Sequence, residues 1–426
     1  MRPVTLAGWL DHIETLHARP IALGLERVAI VAKRLSLDVE ATVVTVAGTN
    51  GKGSTCALLE SMYRHAGFRT ALYTSPHLLA FNERIRIRGV DAADSDIVAA
   101  FEAVETARVD GDAVPLTYFE FSTLAALRLF VAARPDVLVL EVGLGGRLDA
   151  VNIVDADVAI VTSIGIDHVD FLGATREAIG REKAGVFRPG RQAVCGDADP
   201  PQSLVDYAQA IGAPLWRAGR DYSYDVAGTQ WTYRGPAGNR HALPLPALRG
   251  AYQLGNAATA LAAIDALRDR LPVSAGAVRD GLVNVELPGR FQVLPGRPVV
   301  VLDVAHNPHA ARVFAQTLRD MSYHPRTLAV FGMLADKDVV GVAGELQMRI
   351  DGWYVAPLPG PRGAPVARLA AALRAAGVDD SSIHEYPTIA DAFDAARSDA
   401  NDTDRIAAFG SFLTVAAALG AARERH

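Results

Sequence analysis

The chain has 426 residues, 50% hydrophobic and 21% charged, with 48 acidic against 42 basic side chains and a formal net charge of −6. Length and balance predict an enzyme of more than one domain and exclude a disordered or fibrous chain. No general basic field is present, which argues against a nucleic-acid binder. An anionic substrate must then be held locally, by a few Lys and Arg, helix N-termini or metal ions.

The N-terminus (MRPVTLAGWLDHIETLHARP) lacks the charged-then-apolar layout of a signal peptide. No apolar run approaches the ~20 residues needed to span a bilayer, so a cytoplasmic chain without membrane contact is expected. Cys56 and Cys195 are the two cysteines, expected as reduced core thiols. Thr42–Val46 is a β-branched strand run, followed by a glycine loop and a helical Ser54–Ala66. Asp136–Val142 and Asp157–Ser163 are near-continuous apolar runs, as parallel strands buried on both faces require, with a helical Phe121–Ala133 before them. That alternation predicts a doubly wound α/β sheet. From about Asp221 to Leu248, aromatics, Gly and Pro predict short antiparallel strands, leading into a helical Asn256–Arg270. The Pro- and Gly-rich Leu287–Pro298 marks a boundary around one short strand. Beyond it strands at Val299–Asp303, Thr327–Phe331, Trp353–Ala356 and Ile406–Phe409 alternate with helices from His309, Val339, Pro365 and Leu413. The predicted division is residues 1–288 and a smaller α/β domain of 289–426.

Gly48-Thr49-Asn50-Gly51-Lys52-Gly53-Ser54-Thr55 lies between a predicted strand and helix and is the strongest chemical signal. Glycines let backbone N–H groups wrap phosphate oxygens, the helix N-terminus adds positive potential, and Lys52 supplies a point charge at the β/γ-phosphates. Strict Walker A spacing would need a glycine at position 46 and a hydroxyl residue directly after the lysine, where this chain has Val46 and Gly53. Phosphoryl transfer calls for Mg²⁺ held by hard oxygen ligands. Glu141 closes an apolar strand, Ser75 ends a strand-like LYTS before Pro76-His77, and His168 follows another strand beside Asp167 and Asp170. A salt-bridged glutamate, a turn serine and a hydrogen-bonded histidine are the plain alternatives.

The variant loop, together with LGLERV, YTSPHL, TYFEF, LEVGLGGRLDAVN, TSIGIDHVDFLG, REKAGVF, LPGRFQ and LDVAHNPHA in this order, resembles the folylpolyglutamate synthase and dihydrofolate synthase family of the Mur ligase group. TYFEF looks most like its bacterial bifunctional members. The resemblance implies a P-loop Mur-ligase-like ATPase domain with a parallel sheet, plus a smaller Rossmann-like C-terminal domain. It implies ATP contacts at Thr49, Asn50, Gly51, Lys52, Gly53, Ser54, Asn256, Arg290 and Asp303, with ATP between the domains. Arg290 has a structural ion pair as its alternative. Mg²⁺, at two sites, falls to Ser75, Glu141, His168 and a carbamylated Lys183, and His306 and Asn307 approach the γ-phosphate. Carbamylation requires a neutral amine, so Lys183 should be partly buried with a depressed pKa. Pteridine contacts fall to Pro20, Ile21, Ala22 and Leu23, to Thr117, Tyr118, Phe119 and Glu120, and to Leu148, Asp149 and Ala150. Tyr118 and Phe119 offer flat surface for the ring, while Glu120 or Asp149 bonds its amino group. The family often has a polar or acidic residue where this chain has Ala22.

The implied reaction joins L-glutamate to dihydropteroate and to tetrahydrofolates through an acyl phosphate, in a monomer. A Mur-type ligase for peptidoglycan precursors, or a monofunctional folylpolyglutamate synthase, is the alternative. A P-loop GTPase would carry an N-K-x-D motif, and none is found.

Overall fold

Burial on both faces is what the apolar runs require, and the sheet provides it. All six residues of the strand Thr42–Ala47 are buried. It lies between two parallel partners, Val137–Glu141 on one side and Val158–Val161 on the other. The computed structural model describes residues 2–19 and 21–423, and it divides into two units. The first comprises Met1–Ala247 and Leu254–Val285, and the second Leu248–Gln253 and Glu286–His426.

The first unit carries an eight-stranded sheet, in the order Val90–Asp91, Ile85–Ile87, Thr70–Tyr73, Val137–Glu141, Thr42–Ala47, Val158–Val161, Gln192–Cys195, Leu215–Arg217. The first two strands pair antiparallel at this edge, Ile85–Ile87 running opposite to both its neighbours, and the remaining pairings are parallel. Neither of the first two is evident from the sequence, because a strand of two or three residues leaves no periodicity to read. Parallel register pairs Val46 with Glu141 and Ala47 with Val161. The loops after these strands therefore emerge together at the carboxyl edge, where ligands of such sheets bind. A separate three-stranded antiparallel sheet, Ser223–Ala227, Gln230–Gly235 and Gly238–Pro244, turns Trp231 and Tyr233 inward. The Tyr233 hydroxyl donates to Asp265 at 3.0 Å, which ties this sheet to the helix Tyr252–Ala266.

In the second unit a six-stranded sheet runs Gln292–Leu294, Val299–Asp303, Arg405–Phe409, Thr327–Phe331, Gly352–Val355, Ile383–Glu385. Only Gln292–Leu294 is antiparallel. Phe331, Trp353 and Phe409 pack edge-on or tilted at its centre. Cys56 and Cys195 are free and buried. Among the described residues no helix is long and apolar enough to cross a membrane.

The helix expected from Phe121 begins earlier, at Tyr118. Thr117 Oγ1 accepts from the Glu120 amide at 3.2 Å, and Glu120 Oε2 accepts from the Thr117 amide at 2.7 Å. This capping box satisfies two donors that the first turn would otherwise leave open. Thr117→Ala is expected to lower stability by about 1 kcal/mol in urea melts, and an unchanged midpoint would contradict that role for the cap.

Candidate active site

The phosphate loop is built by close backbone approach. Gly48 has φ +148° and Gly51 has φ +88°, the region that favours glycine. A Cβ on Gly48 would strike the Thr162 hydroxyl, and one on Gly51 would meet Asn256 Oδ1 at 2.5 Å. Asn256 thus packs directly on the loop. The Thr49 amide donates to Ser163 O at 2.7 Å, and the Asn50 carbonyl accepts from Thr162 Oγ1 at 2.7 Å and Ser163 Oγ at 3.0 Å. Gly51 caps the helix Lys52–His65, in whose first turn Gly53 and Ser54 are buried. That helix begins two residues before the expected Ser54.

Lys52 Nζ donates to the Gly48 carbonyl at 3.0 Å and to Thr49 O at 3.3 Å. Lys183 Nζ donates to the same Gly48 oxygen at 2.9 Å. Lys183 stands in the last turn of the helix Arg176–Ala184 and is 4% exposed. Burial first, and the Lys52 charge second, push its pKa down to about 7. The sequence asked for a partly buried amine with a depressed pKa, and the structure has one.

The other residues expected to hold metal are Ser75, Glu141 and His168. Glu141, 4% exposed at the end of its strand, accepts from the Ser75 amide at 3.1 Å. His168, at φ +52°, caps the short helix Val169–Leu172, and its amide donates to Asp167 Oδ1 at 2.8 Å. Among the described residues no three or more His, Cys, Asp and Glu side chains converge into a metal cage. A hydroxyl, a carboxylate, an imidazole and an amine able to become a carbamate nevertheless fit Mg²⁺, which keeps waters and phosphate oxygens as further ligands.

Three sequence segments expected at a pteridine come together. Arg27 Nη2 donates to Ala22 O at 2.6 Å and to Glu120 Oε1 at 2.8 Å, and the Gly24 amide donates to Leu148 O at 3.3 Å. Arg27 went unassigned in the sequence, although it stands inside LGLERV. Ile21, Ala22, Leu23, Tyr118, Phe119 and Leu148 are half-buried, and Ala150 is buried. Pro20 lies outside the described residues. The Phe119 ring covers Gly143, where a Cβ would meet it at 2.6 Å. Glu120, 3% exposed, is occupied by its cap and by Arg27, so it holds the segment in shape rather than offering a carboxylate to a ligand. Asp149 accepts from the Leu144 amide at 2.8 Å and the Val151 amide at 3.1 Å, while burial raises its pKa to about 7. Nearby, burial and Arg84 push His77 down to about 4.

In the second unit Asp303 accepts from the amides of Phe291 and Ala305, both at 2.8 Å, and burial raises its pKa. Arg290 lies 4.8 Å from the Phe412 ring centre. Its charge also acts on the buried Asp303, lowering that carboxyl's pKa against the effect of burial. His306 Nδ1 donates to Val304 O at 2.8 Å, which fixes its tautomer. Asn307 is buried and caps the helix Pro308–Asp320, its Oδ1 accepting from the Ala310 amide at 2.9 Å.

The profile of the Mur ligase middle domain matches residues 46–264, and that of the Mur ligase glutamate ligase domain matches 289–412. The Escherichia coli dihydrofolate synthase/folylpolyglutamate synthase is 48% identical over 412 residues, 96% of this chain and 94% of that protein. The chain belongs to this family of Mur ligases. The Haemophilus influenzae member is 40% identical over 96% of each chain. E. coli FolC in complex with DHPP and ADP superposes with a TM-score of 0.93 at 47% identity, covering 99% of this chain and 98% of that one. A bifunctional family member with Mn, AMPPNP and L-glutamate bound gives 0.90 at 46% identity, covering 98% of each. As a member, the chain is a carbon–nitrogen ligase.

Lys183 keeps its proton in the unfolded chain up to its ordinary 10.5 and loses it near 7 when folded. The cost of burying it is thus complete below pH 7 and relieved as pH rises toward 10.5. In carbonate-free denaturant melts, Lys183→Met should gain stability over the wild type at about pH 6, and that advantage should shrink steadily between about pH 7 and about pH 10. A difference independent of pH would contradict it.

Proposed function

We propose that the chain joins L-glutamate to dihydropteroate, giving dihydrofolate, and to tetrahydrofolates, giving folylpolyglutamates, at the expense of ATP. The observation that carries this reading is likeness over both domains to a family member solved with DHPP and ADP. Residues 1–288 act as the nucleotide- and pteridine-binding domain and 289–426 as the second, in a cytoplasmic monomer with no nucleic-acid or membrane partner, in keeping with the family resemblance.

An oxygen of the substrate carboxylate attacks the γ-phosphorus of ATP and ADP departs. The amine of glutamate attacks the acyl-phosphate carbon, loses a proton, and phosphate leaves with an amide formed. Thr49–Ser54 hold the phosphates through backbone N–H groups. Lys52 turns its ammonium from the Gly48 and Thr49 carbonyls to the transferring phosphoryl group. Asn256, already packed on Gly51, contacts the nucleotide. Ser75, Glu141, His168 and Lys183 as its carbamate would hold Mg²⁺ at two sites, which supplies neutralising charge across the phosphate oxygens. The carbamate forms when the neutral Lys183 amine attacks CO₂ and releases a proton, a step that its burial favours. Ile21–Leu23, Tyr118, Phe119 and Leu148–Ala150 receive the pteridine, with Asp149 bonding its amino group, while Thr117 and Glu120 fix the edge that Tyr118 and Phe119 present.

Phosphate release from ATP with L-glutamate tests the reading, comparing dihydropteroate, tetrahydrofolate and a muramyl peptide. Glutamate-dependent turnover with both pteridines and none with the peptide is expected. Turnover with the peptide alone would overturn the folate assignment, and turnover with tetrahydrofolate alone would overturn the first of the two reactions.

A further inference from the structure

Arg84 closes the short helix Phe81–Arg84 and is only 9% exposed. Its Nε–H donates to His77 Nδ1 at 2.8 Å, and its guanidinium carbon lies 5.4 Å from the ring centres of both Phe81 and Tyr118. An imidazole brings no negative charge, and among the described residues no carboxylate pairs with Arg84. The neighbouring Glu83 is turned elsewhere: its two oxygens accept from the amides of Leu78 at 2.6 Å and of Leu79 and Ala80 at 2.8 Å. Arginine does not shed its proton on burial, so a guanidinium in this position retains an unmet demand for an anion. Glu83 meanwhile fixes the loop that presents His77, and the two rings keep the cation in one place.

We propose that Arg84 is a specificity-determining residue that binds the α-carboxylate of the glutamate already carried by a folate substrate. The inference rests on the folate reading above. Dihydropteroate has a single carboxylate, the one that reacts. A folate monoglutamate reacts through its γ-carboxylate and brings an α-carboxylate in addition. One site serving both must therefore offer a cation that only the second substrate engages. Arg84 meets that need: it lies against Tyr118, in the segment assigned to the pteridine, and His77 and the rings hold it when no second carboxylate is present.

The test compares full-length wild type, Arg84→Gln and Arg84→Lys, each with dihydropteroate and with tetrahydrofolate at saturating ATP and L-glutamate. Arg84→Gln should raise KM for tetrahydrofolate by roughly 10-fold or more and leave dihydropteroate within about twofold, with Arg84→Lys recovering part of the loss. Equal losses with both substrates, or none, would overturn the assignment. A measurement free of any folding defect uses the wild type with tetrahydrofolate whose α-carboxylate is an amide. The amide should lose the same factor, and an amide as good as the acid overturns the proposal. Wild type inactive with both pteridines would sink the folate reading itself, whereas active wild type with an unselective Arg84→Gln sinks only Arg84.

Discussion

Two lysines donate to one carbonyl oxygen, that of Gly48, and the rest of the site is arranged around that contact. It requires a loop with no side chain at position 48, because Thr162 fills the space a Cβ would take. It requires Thr42–Ala47 and Val158–Val161 in their parallel register, which brings Thr162 beside the loop. It also sets the lysines against each other. Lys52 is half-buried at the start of its helix, whereas Lys183 is buried and meets both a desolvation penalty and its neighbour's charge. Burial and like charge act in the same direction on an amine, and Lys183 is the one that yields its proton. The proposed carbamate therefore falls to Lys183, whose amine is the one that burial and the neighbouring charge drive toward its neutral form.

The segments proposed to receive the pteridine follow a different logic, in which charge is neutralised to give a firm surface. Arg27 spans Ala22 and Glu120, and Glu120 closes the cap of the helix Tyr118–Ala133. A buried carboxylate is tolerated there because each oxygen has a donor. Tyr118 and Phe119 sit in the first turn of that helix and inherit its rigidity. Asp149 is held by amides but still pushed up to about 7, so it exchanges its proton near neutrality.

Much of this was legible in the sequence where the signal was local. The buried strands read as unbroken apolar runs because parallel strands between helices have no solvent face. The phosphate loop read directly, since its glycines, lysine and helix start are contiguous. What escaped depended on contacts far apart in the chain: Arg27 with Glu120, Lys183 with Gly48, and the strand Ile85–Ile87 with Thr70–Tyr73. Three residues were read for chemistry when their spacing already signalled structure. Thr117 and Glu120 stand as T-x-x-E, the mark of a capping box, and Asn307 precedes Pro308, the mark of a helix start. The strand Ile383–Glu385 and the helix Ile389–Asp399 were passed over, the strand being three residues long and largely exposed.

The most direct test of the account is whether Lys183 becomes a carbamate in the intact protein. Isotope-labelled bicarbonate, added near neutral pH with ATP and Mg²⁺, allows the carbonyl carbon to be followed by NMR. A single carbamate resonance in the wild type that is absent from Lys183→Met, and reduced in Lys52→Met, is the predicted result. A wild-type spectrum without that resonance, or one that persists in Lys183→Met, would contradict it.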